Sequence, residues 1–323
     1  MLIKKRWLFF GLKICIAAIT LVLLVKTVQF DKIVTAFRSP QRPFYFILAA
    51  SLAIPNLILQ CYRWHYLLQC AIPDIRAGET IGSFFGGMVV GFVTPGRIGE
   101  MGRSLFIRRG DQLQVLGLVV LDKFYAFVAV LIGGMWGITV LFSHFFKYNA
   151  FIMWPLFVMS LIVTGLGVAV SWHPDWIRSF LHHISVTLPV RDKIKRFISC
   201  INNFKNRQAR VFFLLTMSYY VVYIVQFCLL AQGFQPAGWG FTVIAATATI
   251  LTKTLLPVSL ADLGIREGAA VYFFTRFSFS RAAPFNASLL LFTLNILIPT
   301  LIGLFFIPRM GWRNQQNEGM RHR

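Results

Sequence analysis

Acidic side chains are scarce in this sequence: 11 Asp and Glu stand against 32 Lys and Arg, for a formal net charge of +21. In a soluble protein that imbalance would indicate nucleic acid. Here most basic residues lie between long apolar runs, where membrane topology and anionic lipid account for them, so nucleic-acid binding is not expected. Cysteine is also rare. The five present show no CxxC spacing and no even disulfide pattern, and four fall in or beside apolar runs, which predicts buried thiols. The six histidines include no HExxH, and His182-His183 are adjacent rather than spaced as helical ligands, so no metal site is expected. No nucleophile elbow and no nucleotide loop occurs either. Neither enzyme chemistry nor a cofactor is therefore expected.

What the chain does have is apolar length. Of its 323 residues 57% are hydrophobic, and the mean hydropathy is +0.68. Several apolar runs reach the roughly 20 residues needed to cross a 30 Å hydrocarbon core, which predicts an all-α polytopic membrane protein. Six segments are long enough to span: about 8–29, 43–61, 113–142, 151–171, 211–232 and 285–307. The first follows Lys4, Lys5 and Arg6 and lacks a clear small-x-small cleavage site, so it reads as an uncleaved helix rather than a signal peptide.

Two apolar stretches do not fit. Residues 80–93 are too short to cross, and they run into "GFVTPGRIGEMGRSLFIRR", where Gly91, Pro95 and Gly96 break the helix. Residues 240–277 form two pieces broken at "LLPVSLADLG", with Pro257 and Gly264 at the break. Read as two re-entrant hairpins, they give the order span, span, hairpin, span, twice over. The basic residues then place both termini in the cytoplasm of an inner-membrane protein. The first half, 1–142, starts from inside and the second, 151–307, from outside. That is the layout of an inverted-topology repeat within a single transmembrane domain. Two full crossings in place of the second hairpin would satisfy the charge rule equally. Between 174 and 210, Ile194, Phe197, Ile198, Ile201 and Phe204 recur at helical spacing among basic residues. The pattern fits an amphipathic helix on anionic lipid at the cytoplasmic face; a basic connector is the alternative.

Charges at membrane depth mark the candidate site, because an ionised side chain near the bilayer centre costs roughly 2.5–3.5 kcal/mol unless paired. Arg97, Glu100 and Arg103 are each three apart and form a ladder of two positives around one negative. Asp262 and Arg266 are four apart and share a face. Glu267 cannot face Arg266 on one helix, so Lys253 or the other hairpin is its expected partner. Asp122-Lys123 must look to other helices, as an ion pair or a coupling device. Gly82, Gly86, Gly87 and Gly91 repeat GxxxG spacing, and Ala245, Ala246 and Ala248 act similarly, as close helix–helix packing devices.

The stretches "TPGRIGEMGR" and "LPVSLADLGIREGAAVYFF" resemble the two signature segments of the lysylphosphatidylglycerol synthase transmembrane family, also called flippase-like integral membrane proteins. The likeness covers roughly residues 8–307. It implies a bundle that moves a lipid, or a lipid-linked headgroup, between leaflets. On that resemblance Arg97 and Glu100 match the first motif, and Pro257, Gly264, Arg266 and Glu267 match the second. The chain departs from the pattern at Ala261-Asp262, where members often carry Gly-Gly. It departs again at "LDKFYAF", where Asp122-Lys123 replaces Glu-Arg and Ala126 stands where a second acid is common. The soluble aminoacyl-transferase domain of the synthases is expected to be absent, so synthase activity is not implied. The expectation is thus a lipid transporter that binds its headgroup through Arg97, Glu100, Arg103, Lys253, Asp262, Arg266 and Glu267. A scaffold for a separate lipid-modifying enzyme and a membrane-embedded enzyme on lipid-linked substrates are the alternatives.

Overall fold

The computed structural model describes residues 35, 40–94, 96–107, 109–146, 149–176, 178–179, 204–256 and 263–306. The expected first span, Pro95, Pro257, Asp262 and most of the basic 174–210 connector lie outside these residues. Among the described residues the chain is all helical. In order these are α1 (Pro43–Ala71), α2 (Ala77–Phe92), a 3-10 segment (Ile98–Phe106), α3 (Gln112–Phe145), α4 (Ala150–Trp172), α5 (Asn206–Phe234), α6 (Trp239–Leu255), α7 (Ile265–Thr275) and α8 (Ala282–Phe292). A π-helical turn (Thr293–Leu297) and α9 (Ile298–Leu304) continue α8.

Five of these stretches are long and apolar enough to cross a membrane: α1, α3, α4, α5 and the continuous 282–304 helix. All five fall on predicted spans, and the protein is a multi-pass membrane protein. At 1.5 Å per residue, the 29 residues of α1 extend about 44 Å, whereas the 16 of α2 reach only about 24 Å and the 17 of α6 about 26 Å. Local chemistry sets several ends. Pro43 opens α1, where its missing N–H is no loss. Asp111 and Asn149 cap α3 and α4 by accepting from the N–H groups of Leu113 and Phe151, each at 3.0 Å. Pro55 inside α1 removes a ladder donor and weakens the helix beside Asn56.

Lipid tails are as apolar as leucine, so burial of hydrocarbon separates inside from outside less sharply than in water. Polar and small residues do that here. Asn56, Thr216, Gln226, Thr249, Ser288 and Asn295 are buried, while Phe44, Phe151 and Trp154 are 66%, 88% and 65% exposed. α1 packs along α5, α2 against the 3-10 segment and α9, and α6 against α3 and α7. α8 lies on α5 and α7, and α4 flanks α3 and α5 at the rim.

Two details differ from expectation. α1 runs ten residues beyond the predicted end at 61, because Trp64, Leu67 and Leu68 continue its buried face. Arg63, assigned by charge counting to the cytoplasmic side, is therefore a helical residue only 6% exposed. α5 begins at Asn206, and Phe204 is packed on Tyr125 and Phe212 within the protein core rather than on lipid.

Candidate functional site

After α2 ends at Phe92, the chain turns through Gly96 and Arg97, both at positive φ (59° and 56°), and re-enters as the 3-10 segment. Thr94 holds this turn: its hydroxyl donates to the Val90 carbonyl at 3.1 Å and accepts from the Gly99 N–H at 2.7 Å. The returning segment lies in a groove on α2 that exists because the glycines there lack side chains. A methyl group at Gly91 would sit 2.6 Å from Cγ of Glu100, and one at Gly87 would collide with Arg103. Expectation and structure part here. Gly86, Gly87 and Gly91 admit the 3-10 segment, and only Gly82 faces the last helix, at Phe306.

This close approach brings six charges together. Glu100, 1% exposed, accepts from Arg97 Nη2 at 2.5 Å, from Arg103 Nη2 at 3.0 Å and from Lys123 Nζ. Asp122, also 1% exposed, pairs with Arg63 at 2.9 Å and Arg103 at 3.2 Å. Arg103 thus bridges two carboxylates, and its guanidinium stacks 4.9 Å from Phe84 and 5.5 Å from Trp64. Arg63 lies over Phe212 and Tyr219. Four cations face two anions, so the cluster carries a surplus of two positive charges where water is sparse. The predicted ladder of Arg97, Glu100 and Arg103 is present, and Asp122-Lys123 find their partners on it.

A cavity of about 340 Å³ opens beside the cluster, between the first hairpin, α3, α5 and α6. Arg97, Lys123 and Lys253 line it from three elements, opposite Tyr219, Tyr220 and Tyr223 of α5. The Lys123 side chain is 44% exposed, and that exposure is to the cavity, since its ammonium is held by buried Glu100. Asn295, on the π-helical turn, reaches the same space. Its amide nitrogen donates to Gln226 Oε1 at 2.8 Å, and its oxygen accepts from Asn56 at 2.6 Å. Gln226 in turn donates to the Ala49 carbonyl at 2.9 Å. Three buried amides thereby tie α1, α5 and the last helix together under the cavity.

The second hairpin has its own charge pair. Glu267 and Arg266 are both fully buried, and Arg266 Nη2 donates to Glu267 Oε1 at 2.5 Å. Ser288 on α8 joins them, accepting from Arg266 Nε at 2.8 Å and donating to Glu267 at 3.0 Å. This corrects the expectation that neighbours cannot pair. Glu267 is the third residue of α7, and its carboxylate curls back to accept from the Gly264 N–H at 2.6 Å. There it lies over the start of the helix, within reach of Arg266. The Arg266–Asp262 pairing falls outside the described residues.

Of the predicted binding residues, Arg97 and Lys253 line the cavity, while Glu100 and Arg103 stand behind its wall. Arg266 and Glu267 are buried between α7 and α8, apart from that lining. The tyrosines, Arg63 and Asn295 were not expected. "SYYVVY" within a span and a lone asparagine in the last apolar run were the available signals. Among the described residues no cluster of three metal-ligating side chains occurs.

Compared with known proteins, the chain matches the family model described as "Lysylphosphatidylglycerol synthase TM region" over residues 10–303. No curated protein shows significant similarity to it.

Proposed function

The chain belongs to the lysylphosphatidylglycerol synthase TM region family, and from that premise we propose that it is a lipid transporter. It passes the phosphate-bearing headgroup of a membrane lipid between leaflets through the cavity beside α3, α5 and α6. The observation that carries this reading is the lining of that cavity by Arg97, Lys123 and Lys253. A phosphodiester crossing hydrocarbon must have its charge met on the way. Arg97 offers a planar fork for phosphate oxygens, and the two lysines act as point charges. Glu100, Arg103, Asp122 and Arg63 form the frame that holds those cations in place, while the surplus positive charge favours an anion. Arg266, Glu267 and Ser288 form the corresponding frame of the second hairpin.

In this reading α2 with the 3-10 segment, and α6 with α7, are re-entrant hairpins of an inverted repeat. The packing supports it. α1 lies along α5, its counterpart in the other half, and α6 packs on α3 as α2 packs on α9. The exits of the two hairpins also correspond. Arg97-Ile98-Gly99-Glu100 and Gly264-Ile265-Arg266-Glu267 each begin at positive φ and place a buried glutamate, salt-bridged to arginine, three residues on. With the termini in the cytoplasm, the first hairpin enters from inside and the second from outside.

The test is movement of fluorescent phosphatidylglycerol between leaflets of proteoliposomes, read as the fraction quenched by dithionite. The wild-type protein is expected to raise the rate over empty vesicles, and an Arg97→Ala, Lys253→Ala double variant to abolish the gain. Equal rates with and without protein, or full activity in the double variant, would remove this reading.

A further inference from the structure

We propose that the headgroup accepted by this cavity is a phosphodiester ending in uncharged hydroxyls, a polyol, rather than one ending in an ammonium. This deepens the headgroup-site reading above and rests on it. At about 340 Å³ the space is at the small end of ligand pockets, so it holds a headgroup and leaves the acyl chains outside. One wall supplies the cations Arg97, Lys123 and Lys253, and no acidic residue is among the described residues of the lining. The buried acids near it are already engaged: Glu100 by Arg97, Arg103 and Lys123, and Asp122 by Arg63 and Arg103. A headgroup bringing its own ammonium into this space would meet like charge with no carboxylate to receive it.

The opposite wall is neutral and rich in hydrogen-bonding groups. Tyr220 is 7% exposed, and its hydroxyl has no hydrogen-bond partner where the cavity closes against Gly133 of α3. A buried hydroxyl left without a partner is unfavourable unless something arrives to satisfy it. Thr254 and Asn295 line the same space with groups that both donate and accept. Hydroxyls of a polyol are donors and acceptors at once and match this wall. An ammonium is a donor only. The phosphate is thereby placed at the cationic wall and the polyol toward Tyr220.

Binding to the full chain in detergent micelles tests this, using dioctanoyl lipids and intrinsic tryptophan fluorescence. Dioctanoyl phosphatidylglycerol is expected to bind about tenfold more tightly than dioctanoyl phosphatidylethanolamine or lysyl-phosphatidylglycerol. Tyr220→Phe keeps the ring packed on Gly133 and removes only the hydroxyl. It is expected to weaken phosphatidylglycerol about three- to tenfold while leaving phosphatidic acid, which lacks the polyol, unchanged. Equal or tighter binding of the amine-bearing lipids would overturn the polyol assignment, as would equal losses for both anionic lipids in Tyr220→Phe. Binding of free glycerol 3-phosphate as tightly as the lipid would place the ligand in water and overturn the lipid source. A flat preference alongside measurable lipid movement in proteoliposomes would sink this inference alone. Failure to bind any anionic lipid would sink it together with the transport reading.

Discussion

Replacing Glu100 by glutamine keeps the shape of the side chain and removes its charge from the centre of the first cluster. Four cations (Arg63, Arg97, Arg103 and Lys123) would then face Asp122 alone. At an effective dielectric of about 20, a unit pair at the Glu100–Arg103 distance of 3.0 Å is worth at most about 5.5 kcal/mol. Desolvation offsets part of that, and breaking a buried pair by removing one partner typically costs about 3–5 kcal/mol. Glu100→Gln is therefore expected to destabilise the protein by about 3–5 kcal/mol. The double-mutant cycle with Arg103→Gln isolates the pair. Loss of the Arg103–Asp122 contact occurs in both variants lacking Arg103, and so cancels in the cycle. A coupling of about 1–3 kcal/mol is expected. The assay is unfolding in micelles followed by tryptophan fluorescence, to which Trp64, 5.5 Å from the Arg103 guanidinium, is a local contributor. Wild-type stability in Glu100→Gln, or effects additive within about 0.5 kcal/mol, would refute the claim that this carboxylate holds the hairpin to α3.

Arg97 sits at φ 56°, where a residue with a Cβ is strained by about 1–2 kcal/mol. Arg97→Gly is expected to unfold no earlier than wild type in a thermal scan, yet to lose lipid movement in proteoliposomes. A methyl at Gly303 would lie 2.5 Å from the Phe85 carbonyl oxygen, whereas one at Gly78 meets nothing within 4 Å. Gly303→Ala should cost about 1–3 kcal/mol and Gly78→Ala close to none, measured by the same unfolding assay. Glu267→Leu leaves Arg266 buried without its carboxylate and should cost about 3–5 kcal/mol. Combining it with Arg266→Met should recover most of that stability, since a well-packed apolar pair does as well as a buried ion pair. Asn56→Leu removes the donor to Asn295 and should lower stability by about 1–3 kcal/mol, read as an earlier melting transition.

Much of the architecture was legible because lipid imposes a length rule on sequence. Each described spanning helix coincides with an apolar run of about twenty residues or more, and the two stretches too short to cross are the short helices α2 and α6. The motif arginines and glutamates were also legible, since charge at membrane depth is costly enough to stand out. Helix ends were less so. Arg63 looked like a loop residue because hydropathy falls where α1 continues, and only the packing of Trp64 and Leu67 shows that it is buried.

Sequence by itself thus determined the class of molecule, its apolar segments and which residues are charged where charge is unfavourable. These follow from composition and spacing along one chain, and from the bilayer as solvent. Tertiary structure alone decided the partners. Glu267 turned to its neighbour Arg266 because a helix start lets a side chain fold back, which a face-by-face wheel leaves out. Asp122 met Arg63 and Arg103 because bare glycines on α2 let the 3-10 segment come close enough. Arg97, Lys123 and Lys253 came to share one cavity with three tyrosines although they lie far apart in sequence. Such convergence depends on how helices cross, and no local pattern encodes a crossing.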